Sequence, residues 1–159
     1  MSEAAGVPVV PALEPLARVT VSIEPPLLLG PVLVGERRIV SIAGGRLKGD
    51  RLSGEILPGG ADWQIVCADG TALLEARYTV RTDDGALIYV RNTGIRHGPR
   101  EVLDRLARGE PVDPAAYYFR TTPVFETGDE RYGWLNRLVA VGSGLRTPDR
   151  VVVDYYAVT

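Results

Sequence analysis

The chain is poor in three side chains that commonly mark a chemical class. It has one cysteine, Cys67, so no disulfide can form within the chain. It has one histidine, His97, which removes the usual zinc ligand sets. A catalytic thiol needs a basic partner. Cys67 follows the apolar pair Ile65-Val66, and that context reads as a buried, inert thiol instead. Lysine is nearly missing too, with Lys48 standing alone among many arginines. A GC-rich coding sequence accounts for that bias before anion binding needs to be invoked.

Two further absences concern location. No run approaches the roughly 18 consecutive apolar residues of a membrane helix, and no basic segment followed by an apolar run opens the chain. The expectation is a cytoplasmic protein without a membrane contact. The formal net charge of -2 lacks the clustered positive charge of a nucleic-acid footprint. No loop signature marks a metal site, and no cofactor is expected.

What is present is an ordinary globular composition, 45% hydrophobic and 24% charged over 159 residues, enough for one domain with a real core. Pro8, Pro11 and Pro15 oppose a helix at the start, so residues 1–15 read as a flexible arm and 16–159 as one domain. The remainder is mostly β in pattern. Strands are expected at Arg18–Ile23, Arg38–Ile42, Arg51–Leu57, Trp63–Cys67, Ala76–Arg81, Leu87–Asn92, Tyr117–Phe125, Trp134–Val141 and Val151–Tyr156. Gly44-Gly45 break or bulge the second of these. Asp69-Gly70 and Asp84-Gly85 are hairpin turns. The apolar Pro/Gly stretch Leu27–Gly35 reads as a loop over one barrel end. One short helix is expected with Pro99 in its first turn, Glu101 near its positive end, an apolar stripe of Val102, Leu103 and Leu106, and Gly109 at its C-cap. Eight or nine strands with tight turns suit a closed or nearly closed antiparallel β-barrel of about eight strands, with room for one small ligand. A sandwich is the structural alternative.

Strand alternation leaves several faces amphipathic, as in a ligand cavity. Asp62, Arg120 and Asn136 are the candidate catalytic set. Asp62 would serve as acid or base if burial raised its pKa. Arg120 would grip a carboxylate or enolate, and Asn136 would donate to an oxyanion. Trp63 and Trp134 would stack on a planar substrate. The plain alternative is an Asp62–Arg120 ion pair with both tryptophans in the core. Arg77, Tyr89, Asn92, Tyr118, Glu126 and Tyr132 complete the candidate ligand contacts. His97 reads as a loop or capping group. Gly142-Ser143-Gly144 lacks the strand–turn–helix context of a nucleophile and reads as a bend. Gly30–Gly35 lacks the lysine and helix of a phosphate loop.

The ordered blocks Gly54–Gln64, Ala76-Arg77-Tyr78, Arg81–Asn92, Gly94-Ile95-Arg96, Tyr117–Thr121, Phe125-Glu126-Thr127 and Tyr132–Asn136 resemble a family of small bacterial and fungal proteins, domain of unknown function 3237. The resemblance spans nearly the whole chain beyond the arm. It implies a calycin-type barrel like those of lipocalins and allene oxide cyclase, and no settled activity comes with it. Related barrels include carriers as well as cyclases and isomerases. Three functions follow as expectations. The first is a cofactor-free lyase, isomerase or cyclase acting on a small carbonyl-bearing or aromatic metabolite. The second is a non-catalytic carrier of a small hydrophobic ligand. The third is a structural or assembly role. A homodimer through Leu27–Leu29 and the arm is a further expectation.

Overall fold

The computed structural model describes residues 6–159; the first third of the expected arm, residues 1–5, lies outside the described residues. Residues 6–12 have no regular structure. The first strand begins at Leu13, inside the expected arm, and Ala12 and Thr159 exchange both backbone hydrogen bonds.

Ten strands follow: β1 (Leu13–Ile23), β2 (Leu27–Val32), β3 (Gly35–Lys48), β4 (Ser53–Ile56), β5 (Ala61–Val66), β6 (Ala72–Thr82), β7 (Leu87–His97), β8 (Tyr118–Glu126), β9 (Ala140–Arg146) and β10 (Arg150–Val158). All pairings are antiparallel, in the order β1-β10-β9-β8-β7-β6-β4-β3, and β1 pairs back onto β3. β4 and β5 share one place between β3 and β6, so the result is a closed eight-stranded barrel with two extra strands.

β3 makes this closure possible. Its first half lies between β2 and β5, and its second half between β1 and β4. Gly44 and Gly45 sit at the changeover with φ of 152° and 158°. A Cβ at Gly45 would collide with the Thr20 carbonyl on β1, so only glycine lets the strands meet there.

Three expectations about elements are corrected. Leu27–Gly35 is not a loop: Leu27–Val32 forms β2, paired to β3 on the outside of the barrel. Leu27, Leu28, Leu29, Leu33 and Val34 are exposed on this flange. Trp134–Val141 is not a strand. Glu130–Arg137 is a 3-10 helix, begun by Asp129, whose carboxylate accepts from the Arg131 N–H at 2.9 Å. The strand begins only at Ala140 and runs through Gly142-Ser143-Gly144, which is therefore not a bend. Gly142 and Gly144 face inward, where Thr121 and Phe119 fill the space a Cβ would need.

The expected helix is present as α1 (Arg100–Ala107), with Pro99 at its N-cap and Gly109 at φ 76° beyond its end. Its buried Val102 packs with Ala72, Leu74, Tyr117 and Phe119, which fixes α1 across one barrel end. The opposite end is filled by a larger apolar cluster, including Val19, Leu47, Ile56, Val80, Ile88, Val90, Phe125 and Tyr155, with Leu135 of the 3-10 helix packed into it. Tyr78 and Tyr155 share a buried hydrogen bond of 2.7 Å between their hydroxyls. The space between these two apolar clusters holds the barrel's polar interior.

Candidate functional site

A cavity of about 60 Å³ lies inside the barrel. Its apolar lining comes from Val21 and Ile23 of β1, Val40 and Ile42 of β3, Leu74, Ala76 and Tyr78 of β6, Phe119 of β8 and Val151 of β10. Its polar groups are Asp62, Gln64, Arg96 and Arg146. Such a volume exceeds the ~10–15 Å³ that one water requires. A second space of about 120 Å³ lies under α1, lined by Arg38, Arg96 and Arg146 together with Arg100, Leu103 and Asp104. Arg96 and Arg146 line both spaces and so separate the interior cavity from the cleft at the helix.

Local alternation produces this arrangement. On β5, Asp62 and Gln64 share the inward face while Trp63 takes the outward one. On β3, Arg38 lies on the same face as Val40 and Ile42 and is the register partner of Gln64. On β7, Arg96 continues the buried series of Ile88, Val90 and Asn92. On β9, Arg146 extends the inward face of Gly142 and Gly144.

Asp62 is held on both oxygens. Gln64 Nε2 donates to Oδ2 at 2.7 Å, and the Glu75 backbone N–H donates to Oδ1 at 2.8 Å. Burial pushes its pKa above the ordinary aspartate value; these two hydrogen bonds and the positive charges of Arg96 and Arg146 oppose that shift without cancelling it. An aspartate in this state can exchange a proton nearer neutrality than a solvated one.

The arginines have the opposite problem. Arg96 is only 6% exposed. Its pKa is pushed down to about 9, by burial first and then by the charges of Arg146 and Arg38. Burial also lowers Arg146 and Arg38. Among the described residues none of the three joins an ion pair, and Arg38 Nε is buried without a hydrogen-bond partner. Gln64 Oε1, Asn92 Oδ1 and Thr121 Oγ1 are buried and unpartnered as well. Native interiors leave few such groups unsatisfied, and they concentrate where a ligand completes the set.

Of the residues singled out from the sequence, Asp62 reaches the cavity. Asn92 is buried on the inward face of β7, in register with the cavity residue Ala76. Arg120 is not brought to Asp62. The odd positions of β8 are buried, so Arg120 faces out, where its Nη1 donates to the Phe119 carbonyl at 3.0 Å and its guanidinium lies 5.4 Å from the Tyr118 ring. Tyr118, also outward, lies 5.0 Å from the His97 ring. Asn136 sits on the 3-10 helix and clasps Thr127, accepting from its N–H and donating to its carbonyl, both at 2.9 Å. The plain alternative, an Asp62–Arg120 ion pair, is likewise not formed.

Trp63, Arg77 and Tyr89 line a shallow groove on the barrel exterior, where Arg77 pairs with Glu75 at 2.6 Å. Trp134 packs under the Arg51 guanidinium at 3.8 Å. The Tyr132 hydroxyl hydrogen-bonds the Asp84 carboxylate at 2.9 Å, and Glu126 is exposed at the end of β8. Sequence reasoning missed Arg38, Gln64, Arg96 and Arg146. Parity gave a usable signal for two of them, since Gln64 lies two residues from Asp62 and Arg96 four from Asn92; Arg38 had no singled-out neighbour on its strand, and Arg146 lies on the glycine-bearing strand that was misplaced.

Among the described residues, no group of three or more His, Cys, Asp or Glu side chains is placed to hold a metal. Among the described residues, no helix is long and apolar enough to cross a membrane.

Fold and site together define a closed eight-stranded antiparallel β-barrel with a polar, cationic interior. Residues 11–158 match the family model described as "Protein of unknown function (DUF3237)", and the chain belongs to that family. A UPF0311 protein of Rhodopseudomonas palustris is 53% identical over 129 residues, covering 81% of this chain and 84% of its own. The crystal structure of a beta-barrel like protein from Acinetobacter baumannii superposes with a TM-score of 0.85 at 47% identity, over 96% of this chain and 99% of that one. An enzyme from Penicillium herquei shares the fold, with a TM-score of 0.72 at 22% identity, over 98% of this chain and 99% of that one.

Proposed function

We propose that the barrel interior binds a small carbonyl-bearing metabolite and that Asp62 moves a proton on it, a chemistry of the lyase, isomerase or cyclase kind. The observation that carries this reading is the state of Asp62: half-buried, displaced upward in pKa, fixed by Gln64 and Glu75, and facing a cavity. The Asp62 carboxylate takes a proton from the carbon beside a carbonyl. The electron pair moves onto the carbonyl oxygen, and the enolate formed lies within the field of Arg96 and Arg146. The protonated Asp62 then returns the proton to the same or another atom. Tyr78, Phe119 and the valines of the lining give the rest of the cavity an apolar wall, while the proton on Asp62 exchanges with solvent between steps.

The A. baumannii and P. herquei proteins, described as beta-barrel like and as an enzyme, are compatible with this reading and do not specify it. The test is proton exchange. The protein is incubated in D2O with a panel of small keto acids and cyclic ketones, and deuterium entry beside the carbonyl is followed by NMR. Exchange by the wild type that disappears in Asp62→Asn is expected. Equal exchange by the variant removes Asp62 from the chemistry, and saturable binding without exchange points to a carrier.

A further inference from the structure

The arginine cluster goes beyond what proton transfer at Asp62 requires. Arg38, Arg96 and Arg146 converge where the cavity meets the cleft under α1, and Asp62 is the one carboxylate lining the interior cavity. Three guanidinium groups against at most one carboxylate leave a surplus of two positive charges or more. In the cleft, Arg100 and Asp104 add one charge of each sign and leave that surplus unchanged. Burying guanidinium groups side by side, without counter-ions, is unfavourable twice: each loses hydration and each repels the others. Asp62, and Glu36 beside Arg38, offset only part of it, no carboxylate forms an ion pair with any of the three, and Arg38 Nε has no acceptor at all. Folding alone gives no reason to place three charges together in this way.

We propose that Arg38, Arg96 and Arg146 form a binding site for a dianion, two carboxylates or a carboxylate with an enolate, whose charged end sits at the arginines while its carbon skeleton enters the apolar cavity. The proposal rests on the reading of the cavity as a ligand site and specifies what the ligand must carry. A planar guanidinium offers two parallel N–H donors that match a carboxylate. Here three such forks, from β3, β7 and β9, line one cleft. Gln64, which lines the cavity with an unpartnered oxygen, supplies an acceptor for a hydroxyl on the same ligand. Val21, Ile23, Val40, Ile42 and Leu74 line the inner part of the cavity with hydrocarbon, so a skeleton of a few carbons suits it. A phosphoryl dianion presents the same charge, and the experiment separates the two.

The probes are malonate, succinate, acetate, malonamide and inorganic phosphate, titrated calorimetrically into the full chain at constant ionic strength. One-site binding of a dicarboxylate at least tenfold tighter than acetate, with no heat from malonamide, is expected. Phosphate binding tighter than either diacid supports the dianion site and assigns it to a phosphoryl group. Arg146→Gln should weaken binding at least tenfold, while Arg77→Gln, on the barrel exterior, should bind as the wild type does. Binding of malonamide equal to malonate, unchanged binding in Arg146→Gln, or no anion binding at all overturns the proposal. Asp62→Asn separates the two readings: anion binding should persist in this variant, since a negative charge is removed, while deuterium exchange is lost. Wild-type exchange without anion binding would defeat the dianion site alone; anion binding without wild-type exchange would defeat the proton-transfer reading alone.

Discussion

Gln64 donates from Nε2 to Oδ2 of Asp62 at 2.7 Å, and in that orientation its own Oε1 is buried with no partner. The amide is therefore committed to the ionised or acceptor face of the carboxyl group. Turned over, it would offer an acceptor to a protonated Asp62 or to an asparagine in its place. The pair can thus serve either protonation state of residue 62.

That relationship makes Asp62→Asn a mild substitution with a clear pH signature. Burial raises the Asp62 pKa in the folded chain, so the folded protein binds this proton more tightly than the unfolded chain, whose aspartates titrate near about 3.9. The stability that Asp62 contributes is present below that value and is lost as pH rises through its folded pKa. Urea unfolding of wild type and Asp62→Asn from pH 4 to 8 should show the difference moving in favour of the variant as pH increases. A pH-independent difference would mean that the carboxyl group titrates normally.

Arg96 should show the converse of a structural ion pair. Its charge is buried without an ion-pair partner, so Arg96→Met removes a desolvation penalty and replaces it with apolar contact against Phe119. Replacing buried charged groups by well-packed apolar ones is often neutral or stabilising, by ~1–4 kcal/mol. A gain of ~1–2 kcal/mol in the absence of added anion is expected from urea midpoints at neutral pH. The advantage should shrink as pH rises past about 9, where wild-type Arg96 sheds its charge in the folded state. Malonate should then stabilise the wild type and leave the variant unmoved. A clear loss of stability in the variant would show that Arg96 serves the fold.

The barrel was legible because its strands alternate in a way that turns and hairpins reinforce. Tyr117–Phe125 alternates buried and exposed without a break, and Asp84-Gly85 closes its hairpin as expected. β9 was misplaced because its inward positions are Gly142 and Gly144, which carry no apolar side chain for alternation to detect. The apolar content beside it, at Trp134, Leu135 and Leu138, belongs to a 3-10 helix and its flank, and it drew the expected strand several residues too early. The site was half legible for a related reason. Asp62 could be singled out by its place after Gly59-Gly60, but choosing its partner required the parity of distant strands. Arg120 and Arg96 are equal as residues, and only their register decides which of them faces the interior.

The glycines of β9 make a prediction of their own. A Cβ on Gly144 would lie 2.9 Å from the Phe119 ring, with no flexible atom to yield. Phe119 also packs against Ala72, Leu74 and Val102, which limits its retreat. Overpacking of this kind costs ~1–3 kcal/mol. Gly144→Ala should therefore lower the unfolding free energy by about that amount. Combining it with Phe119→Leu should recover part of the loss, giving a favourable coupling in the double-mutant cycle. Additive effects would mean that the ring does not fill the space left by the glycine.

Arg120 and Asn136 provide the sharpest separation between residue type and residue position. Both have side chains suited to stabilising an oxyanion, and both are engaged elsewhere: Arg120 on the barrel exterior, Asn136 on the Thr127 backbone. Arg120→Ala should change stability by less than ~0.5 kcal/mol, as for most surface substitutions. Asn136→Ala removes two hydrogen bonds that hold the β8 exit to the 3-10 helix. At an exposed position water replaces part of each, so a loss of ~0.5–1.5 kcal/mol is expected. Neither variant should alter malonate affinity or deuterium exchange, whereas Arg146→Gln should weaken the first and Asp62→Asn abolish the second. Should Arg120→Ala weaken anion binding as much as Arg146→Gln does, the ligand would have to reach the outer face of β8, and the barrel interior would lose its place as the binding site.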